Sequence, residues 1–375
     1  MTVNYTYSPE QERLREKARQ FAEQFISPEA LEYDRRGEFP LETIQKMGQE
    51  GLFAPVVPKE YGGLGLSTLE YGLVIQEIAA ASPAYTHNGQ FQTQKGILSF
   101  GSQEQKKRYL PKLATAEAIG AIAISEPNVG SSFRKMETLF LKRKDGYLLN
   151  GHKTHINDAA EADVMLLLAN GEKGLTAFIL EKNLPGISSF KKLDPMGYRS
   201  SPIYEFSLQD LFLPETQRLG EEGQGLPAFF KIFNFSRIGN TSVFIGLSRG
   251  ALRAAIRYIQ TREVGDAKVT SFQGIRWILA ELFTKMEAAE LLRNKAAILE
   301  SSELPCARET SMAKYFAGEV AREVTNKAIE VTGSFGCYRD QPFEMFYRDA
   351  KVLLVAGGSS EVMKNVIADL TLGKS

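Results

Sequence analysis

The sequence predicts an α+β protein, mainly α, in three blocks: an N-terminal helical domain, a central β-barrel and a C-terminal four-helix bundle. Three observations point there. Apolar residues recur at helical spacing up to about residue 114 and again from about 226 onward. Between those stretches the segments shorten and turn signals separate them. The 375 residues, 43% apolar and 24% charged, suffice for more than one core. The domain limits that follow are 1–119, 120–225 and 226–375.

The first block opens on Ser8-Pro9-Glu10-Gln11, a capping box with proline at the first helical position. Leu14, Ala18, Phe21 and Phe25 then share a face, and Ser27-Pro28 breaks the pattern. Further helices are expected around 42–50, 68–81 and 103–114, with a loop punctuated by proline and glycine from Pro55 to Gly65. In the second block, Thr138 to Lys142 and Tyr147 to Leu149 flank Asp145-Gly146, a hairpin signal. Val164 to Ala169 and Leu175 to Leu180 flank Asn170-Gly171, a second one. In the third block Ile245, Leu252, Ile256 and Ile259 share one face. A longer stripe runs through Ile275, Leu279, Leu282, Met286, Ala289, Leu292, Ala296 and Leu299, as in a bundle helix.

Several function classes fall away. Lys plus Arg and Asp plus Glu are 45 each, so the chain lacks the overall basic charge of a dedicated nucleic-acid binder. Cys306, Cys337 and three histidines support neither a disulfide framework nor a metal site. Apolar runs such as Val164 to Ala169 are far shorter than the ~20 residues of a membrane span. A cytoplasmic protein with no membrane or nucleic-acid partner is expected. No G-x-G-x-x-G follows a strand, and no Walker loop, H-E-x-x-H or G-x-S-x-G occurs.

The order of the blocks and the motifs inside them resemble the acyl-CoA dehydrogenase family of flavoproteins, over nearly the whole chain. Ser125-Glu126-Pro127-Asn128-Val129-Gly130-Ser131-Ser132 looks like the family's T-E-P-x-A-G-S-D loop. Asn150-Gly151-His152-Lys153-Thr154-His155-Ile156-Asn157 looks like its N-G-x-K-x-W-I-T-N strand. Met196-Gly197, Leu219-Gly220, Tyr258 with Arg262, Phe272-Gln273, Met312-Ala313-Lys314, Gly333 with Gly336 and Arg348-Asp349 continue the series in order. The resemblance implies FAD between barrel and bundle. Ile124, Ser125, His155 and Asn157 would face the isoalloxazine, and Ser131 the pyrophosphate. Arg262, from a neighbouring subunit of a homodimer or homotetramer, would clamp that pyrophosphate, and Gln273 would serve the adenosine part. Glu330, Gly333, Gly336, Ser359 and Glu361 would complete its cradle. Without the resemblance, the same residues read as capped turns, a surface arginine and loop glycines.

The family's usual reaction removes an α-proton with a glutamate while the flavin takes a β-hydride. Here that base position is Gly357, within Val355-Ala356-Gly357-Gly358-Ser359-Ser360-Glu361. The alternative helix position, just before Arg237, is Ser236. Both lack a carboxylate. Ser131, Arg237, Ala356, Gly357 and Gly358 would line the substrate site, with room for a branched or polar acyl group. A replacement base, if the chain has one, would be His155, Asp158 or Glu126. Other departures are His155 for tryptophan, Gly265-Asp266 for Phe-Gly, and Glu330 for glutamine. Such departures resemble relatives that act on acyl groups tethered to an acyl carrier protein in polyketide precursor synthesis, some of them making hydroxymalonyl or methoxymalonyl units. The implied activity is a FAD-dependent acyl-thioester dehydrogenase without the usual glutamate, acting on a carrier-protein or CoA thioester, with an electron-transfer flavoprotein or oxygen as acceptor. The competing readings are a short-chain acyl-CoA dehydrogenase with a relocated base, a flavin monooxygenase, and a catalytically silent flavin-binding relative.

Overall fold

A computed structural model of the chain describes residues 6–130 and 132–373. Ser8 and Gln11 exchange the reciprocal bonds of a capping box, which starts α1 (Pro9–Phe21). The short helices α2 (Ala30–Arg36) and α3 (Leu41–Gln49) follow. The same box recurs at Ser67 and Glu70, opening α4 (Thr68–Ala81). Beyond α5 (Asn88–Phe100), Ser102 and Gln105 open α6 (Gln103–Ala114) the same way.

The middle region holds β1 (Gly120–Ala123), β2 (Leu139–Arg143), β3 (Gly146–Asn157), β4 (Val164–Ala169), β5 (Thr176–Glu181), β6 (Lys191–Leu193), β7 (Ile203–Pro214) and β8 (Arg218–Leu219). The β2–β3 and β4–β5 pairs are antiparallel, one at each predicted hairpin signal. The expected closed barrel is corrected. The strands form two open four-stranded sheets, ordered β1-β4-β5-β8 and β2-β3-β7-β6. They meet across a shared core that includes Phe140, Tyr147, Leu167, Phe178 and Phe206. Closure fails because a helix takes the β1 edge. Thr93 of α5 donates to the Ala121 carbonyl at 2.8 Å, and Gln90 accepts from the Gly120 N–H at 2.5 Å. A helix covering an edge satisfies it as well as a further strand would.

The chain then returns to helices: α7 (Gly225–Thr261), α8 (Gln273–Ser301), α9 (Ala307–Thr332), α10 (Phe343–Val355) and α11 (Ser360–Leu372). Short strands β9 (Glu263–Val264) and β10 (Ala267–Lys268) link α7 to α8. Helix α7 runs through the molecular centre and α4 lies tightly along it. A Cβ on Gly246 would stand 2.2 Å from the Gln76 carbonyl, and one on Gly250 2.2 Å from that of Ala80. Only glycine permits this approach. Among the described residues no helix is long and apolar enough to cross a membrane, and no His/Cys/Asp/Glu group could hold a metal ion.

One contact between α10 and the middle region carries a pH prediction. Asp349 is fully buried and accepts the Tyr198 N–H at 2.6 Å. Burial pushes its carboxyl up to about 7. Its unfolded value is near 4, so folding takes up a proton between those limits. This contribution is therefore most favourable at low pH and fades as pH rises to 7. Asp349→Asn should flatten that slope: melting temperatures measured from about pH 5 to 8 should fall less steeply than in the parent. An unchanged slope would place the titration on another group.

Candidate functional site

Two polar surfaces form the site, one on the middle region and one on the helices. The first begins where β1 ends. The Thr154 N–H donates to the Ser125 carbonyl at 3.0 Å, which holds the 124–130 loop against β3. The register of β3 on β7 slips between Lys153 and Ile156. Such a bulge re-aims a side chain. Here His155 takes φ +56 and is exposed, while Ile156 turns into the core. Ser125 is half-buried, and its hydroxyl forms no hydrogen bond among the described residues. Asn157, also half-buried, donates to the carbonyl and hydroxyl of Ser201 at 3.2 and 3.1 Å. The Ile124 side chain is buried and its carbonyl accepts from Lys153 at 3.1 Å. Ser131 lies outside the described residues. An unpartnered hydroxyl just past β1, with an exposed imidazole and a half-buried amide at the end of β3, suits a flat cofactor rich in ring nitrogens and carbonyls. FAD fits this ledge.

Two of the three candidate bases are engaged elsewhere. Glu126 is buried and paired with Lys153 at 2.8 Å, and it accepts the N–H groups of Glu137 and Thr138 at 2.6 and 2.9 Å. Burial alone would raise its carboxyl. The Lys153 ammonium and the hydrogen bonds outweigh that and hold it below the usual range. Asp158 is buried between Ser201, at 2.9 Å, and the His87 ring, at 3.0 Å. Of the three, only His155 is open to a ligand.

The other cofactor candidates scatter. Arg262 and Gln273 flank the β9–β10 ribbon, are exposed, and have no side-chain partner among the described residues. Glu330 is taken up on its own helix by Asn326 and Lys327, each at 2.6 Å. Gly333 is exposed at φ +63. Gly336 is buried, and a Cβ there would stand 2.3 Å from the Thr332 hydroxyl, so its need for glycine comes from α9. Ser359 caps α11, with its hydroxyl accepting from the Val362 N–H at 3.4 Å. Glu361 is exposed in the first turn of α11, where backbone N–H groups hold its carboxyl below the usual range.

The second surface is built by α5, α7, α9 and the α10–α11 loop. Gly357 sits in that loop at φ +63, exposed beside Ala356, with Gly358 following. A Cβ on Gly357 would point at the Asn240 amide nitrogen, 2.7 Å away, with the Lys314 side chain 4.0 Å off. The carbonyl of Asn240 accepts from Asn88 at 2.7 Å. Arg237 lies three residues before Asn240 and so on the same face of α7. Its guanidinium donates to Asn234 at 3.2 Å and Ser311 at 3.5 Å, while its Nε has no partner. Ser236 accepts from Gln92. Lys314, buried one turn beyond Ser311 on α9, donates to the Gly358 carbonyl at 2.5 Å. Among the described residues neither Arg237 nor Lys314 forms an ion pair. Asn88, Asn240 and Lys314 were missed as site residues. Asn88 and Gln92, four apart on α5, and a lysine inside the apolar stripe of α9 are the signals that could have shown them.

Comparison with known proteins adds four findings. The chain matches the family models for the acyl-CoA dehydrogenase N-terminal domain over residues 8–117, middle domain over 121–211 and C-terminal domain over 223–372. It is 36% identical to the acryloyl-CoA reductase (NADH) of Anaerotignum propionicum, covering 98% of this chain and 95% of that protein. Its fold superimposes on a glutaryl-CoA dehydrogenase bound to glutaryl-CoA at a TM-score of 0.95, with 34% identity over 99% of this chain and 98% of that one. It superimposes on the prolyl acyl carrier protein oxidase AnaB at 0.93, with 28% identity over 98% of this chain and 100% of that one.

Proposed function

The chain belongs to the acyl-CoA dehydrogenase family, whose three domain models span it, and we propose that it is an FAD-dependent oxidoreductase whose acyl thioester is tethered to a carrier protein and reacts at a hydroxyl-bearing carbon. One observation carries this reading. Within 4 Å of a Cβ at Gly357 the described residues offer the Asn240 amide and the Lys314 side chain, with Arg237 on the same face of α7, and no carboxylate. A positioned base contributes about 10²–10⁴-fold to proton abstraction. Without one at Gly357 or Ser236, removing an α-proton from a thioester is slow. An alcohol or aldehyde hydrate needs no carbon-acid base: hydride leaves its carbon and a proton leaves its oxygen.

Bound FAD supplies the two-electron acceptor. Ser125 and Asn157 would orient it, and the exposed His155 would exchange a proton with the reacting hydroxyl. Arg237 and Lys314 stabilise negative charge on the substrate oxygen as that proton departs. Oxidation of a semialdehyde hydrate gives a carboxylate, as in forming a hydroxymalonyl-type extender unit for polyketide synthesis. AnaB, by its name, oxidises a carrier-protein-bound group on this same fold. Unpartnered Arg262 and Gln273 suit completion of the cofactor site in a second copy.

The test is anaerobic flavin reduction by butyryl-CoA and, separately, by a carrier protein loaded with a hydroxyacyl or semialdehyde group. Bleaching only by the carrier-linked substrate is the expected result. Bleaching by butyryl-CoA would overturn the reading in favour of a short-chain dehydrogenase with its base elsewhere.

A further inference from the structure

Among the described residues, no acid pairs with the cations beside Gly357. Lys314 is 3% exposed and Arg237 8%, and buried charges in proteins are ordinarily paired. Both pack on α9, within one turn of each other, through Ser311 and Lys314 itself. The Asn240 carbonyl is spent on Asn88, which leaves its amide nitrogen as the group facing the space above Gly357. That amide stands 2.7 Å from where a Cβ at residue 357 would be, so it fills the place a side chain there would take. A buried guanidinium nitrogen without a partner, a buried ammonium and an amide N–H₂ make a site of donors only.

We propose that Arg237, Lys314 and Asn240 form a carboxylate-binding subsite, occupied by the acid group of a malonyl-type acyl chain one carbon from the thioester's reacting region. This rests on the reading above that the substrate is an acyl thioester. Burial, with Arg237 next in effect, pulls Lys314 down to about 8, as befits a cation still awaiting its counter-charge. A carboxylate arriving there restores the charge balance and accepts several charge-assisted hydrogen bonds at once. The subsite also matches the carboxylate that hydrate oxidation would generate.

The experiment titrates the FAD-loaded protein with S-malonyl-pantetheine and with S-butyryl-pantetheine, the fragment common to CoA and carrier proteins. Binding is read by perturbation of the flavin spectrum and by calorimetry, without turnover. The malonyl compound should bind at least about 10-fold tighter. Gly357→Asp pushes aside the Asn240 amide, the far end of a flexible side chain, and sets a fixed carboxylate among the donors at a left-handed position that Asp and Asn tolerate best. It should abolish the preference, whereas Gly357→Asn should keep it. Lys314→Gln should also abolish it. Equal binding of the two thioesters by the parent, or a preference that survives Gly357→Asp, would overturn the subsite alone. Failure of either thioester to bind would overturn the acyl-thioester reading together with it.

Discussion

Glu126→Ala should lower stability by about 3–5 kcal/mol, the cost of leaving one half of a buried ion pair. The Lys153 side chain is fully buried, and its ammonium also meets the carbonyls of Ile124, at 3.1 Å, and Leu168, at 2.8 Å. Those carbonyls are dipoles and cannot neutralise it. Even with Glu126 in place, burial pulls Lys153 down to about 8. Without Glu126 it falls further, and folding then expels a proton that the unfolded lysine keeps up to about pH 10. Stability of the variant should therefore recover as pH rises, because the unfolded state binds more protons. Denaturant midpoints at about pH 6 and pH 9 would show a gap from the parent that narrows at the higher pH. The same variant separates a structural glutamate from a catalytic one. Folded Glu126→Ala should still be reduced by substrate within a few-fold of the parent rate. A fall of about 10²-fold or more in the folded, flavin-loaded protein would make Glu126 the base after all.

That pair shows where sequence reading reaches its limit. Glu126 and Asp158 carry chemistry in principle, and both lie in motif segments. Whether a carboxylate is available depends on what fills the space around it. Lys153 sits 27 positions from Glu126, and His87 sits 71 from Asp158, so neither pairing shows in local pattern. Local signals fared well for the opposite reason. The boxes at Ser8, Ser67 and Ser102 close within three residues, so the starts of α1, α4 and α6 are fixed by neighbours in sequence. The open sheets were beyond reach, because α5 covers the β1 edge from another block. The glycine at 357 was legible inside a recognisable motif, and its consequence for a base is a proposal. The donors around it were not. Asn88, Asn240 and Lys314 come from three helices and converge only through packing.

Gly357→Glu should by itself gain little α,β-dehydrogenation, and Gly357→Glu with Asn240→Ala should gain about 10²-fold over the parent, the lower end of what a positioned base supplies. The difference is steric. The Cβ of any residue at 357 meets the Asn240 amide nitrogen at 2.7 Å, so that amide must move aside and then competes with the new carboxylate for the same space. The left-handed φ of +63 adds a cost of about 1–2 kcal/mol to any substituted side chain. Removing the amide opens the path, and the new carboxylate then extends toward Lys314, whose ammonium would hold it ionised at neutral pH. An ionised carboxylate is what a base must be before it can take a proton. The measurement is twofold: anaerobic bleaching of the flavin by butyryl-CoA, and deuterium uptake at the α-carbon of butyryl-CoA in heavy water. The parent should show neither. The double variant should show both, with exchange preceding reduction if proton removal outruns hydride loss. A folded, flavin-loaded double variant that remains inert in both assays would mean that position 357 does not look onto the α-carbon. The reaction assigned from its emptiness would then lose its ground.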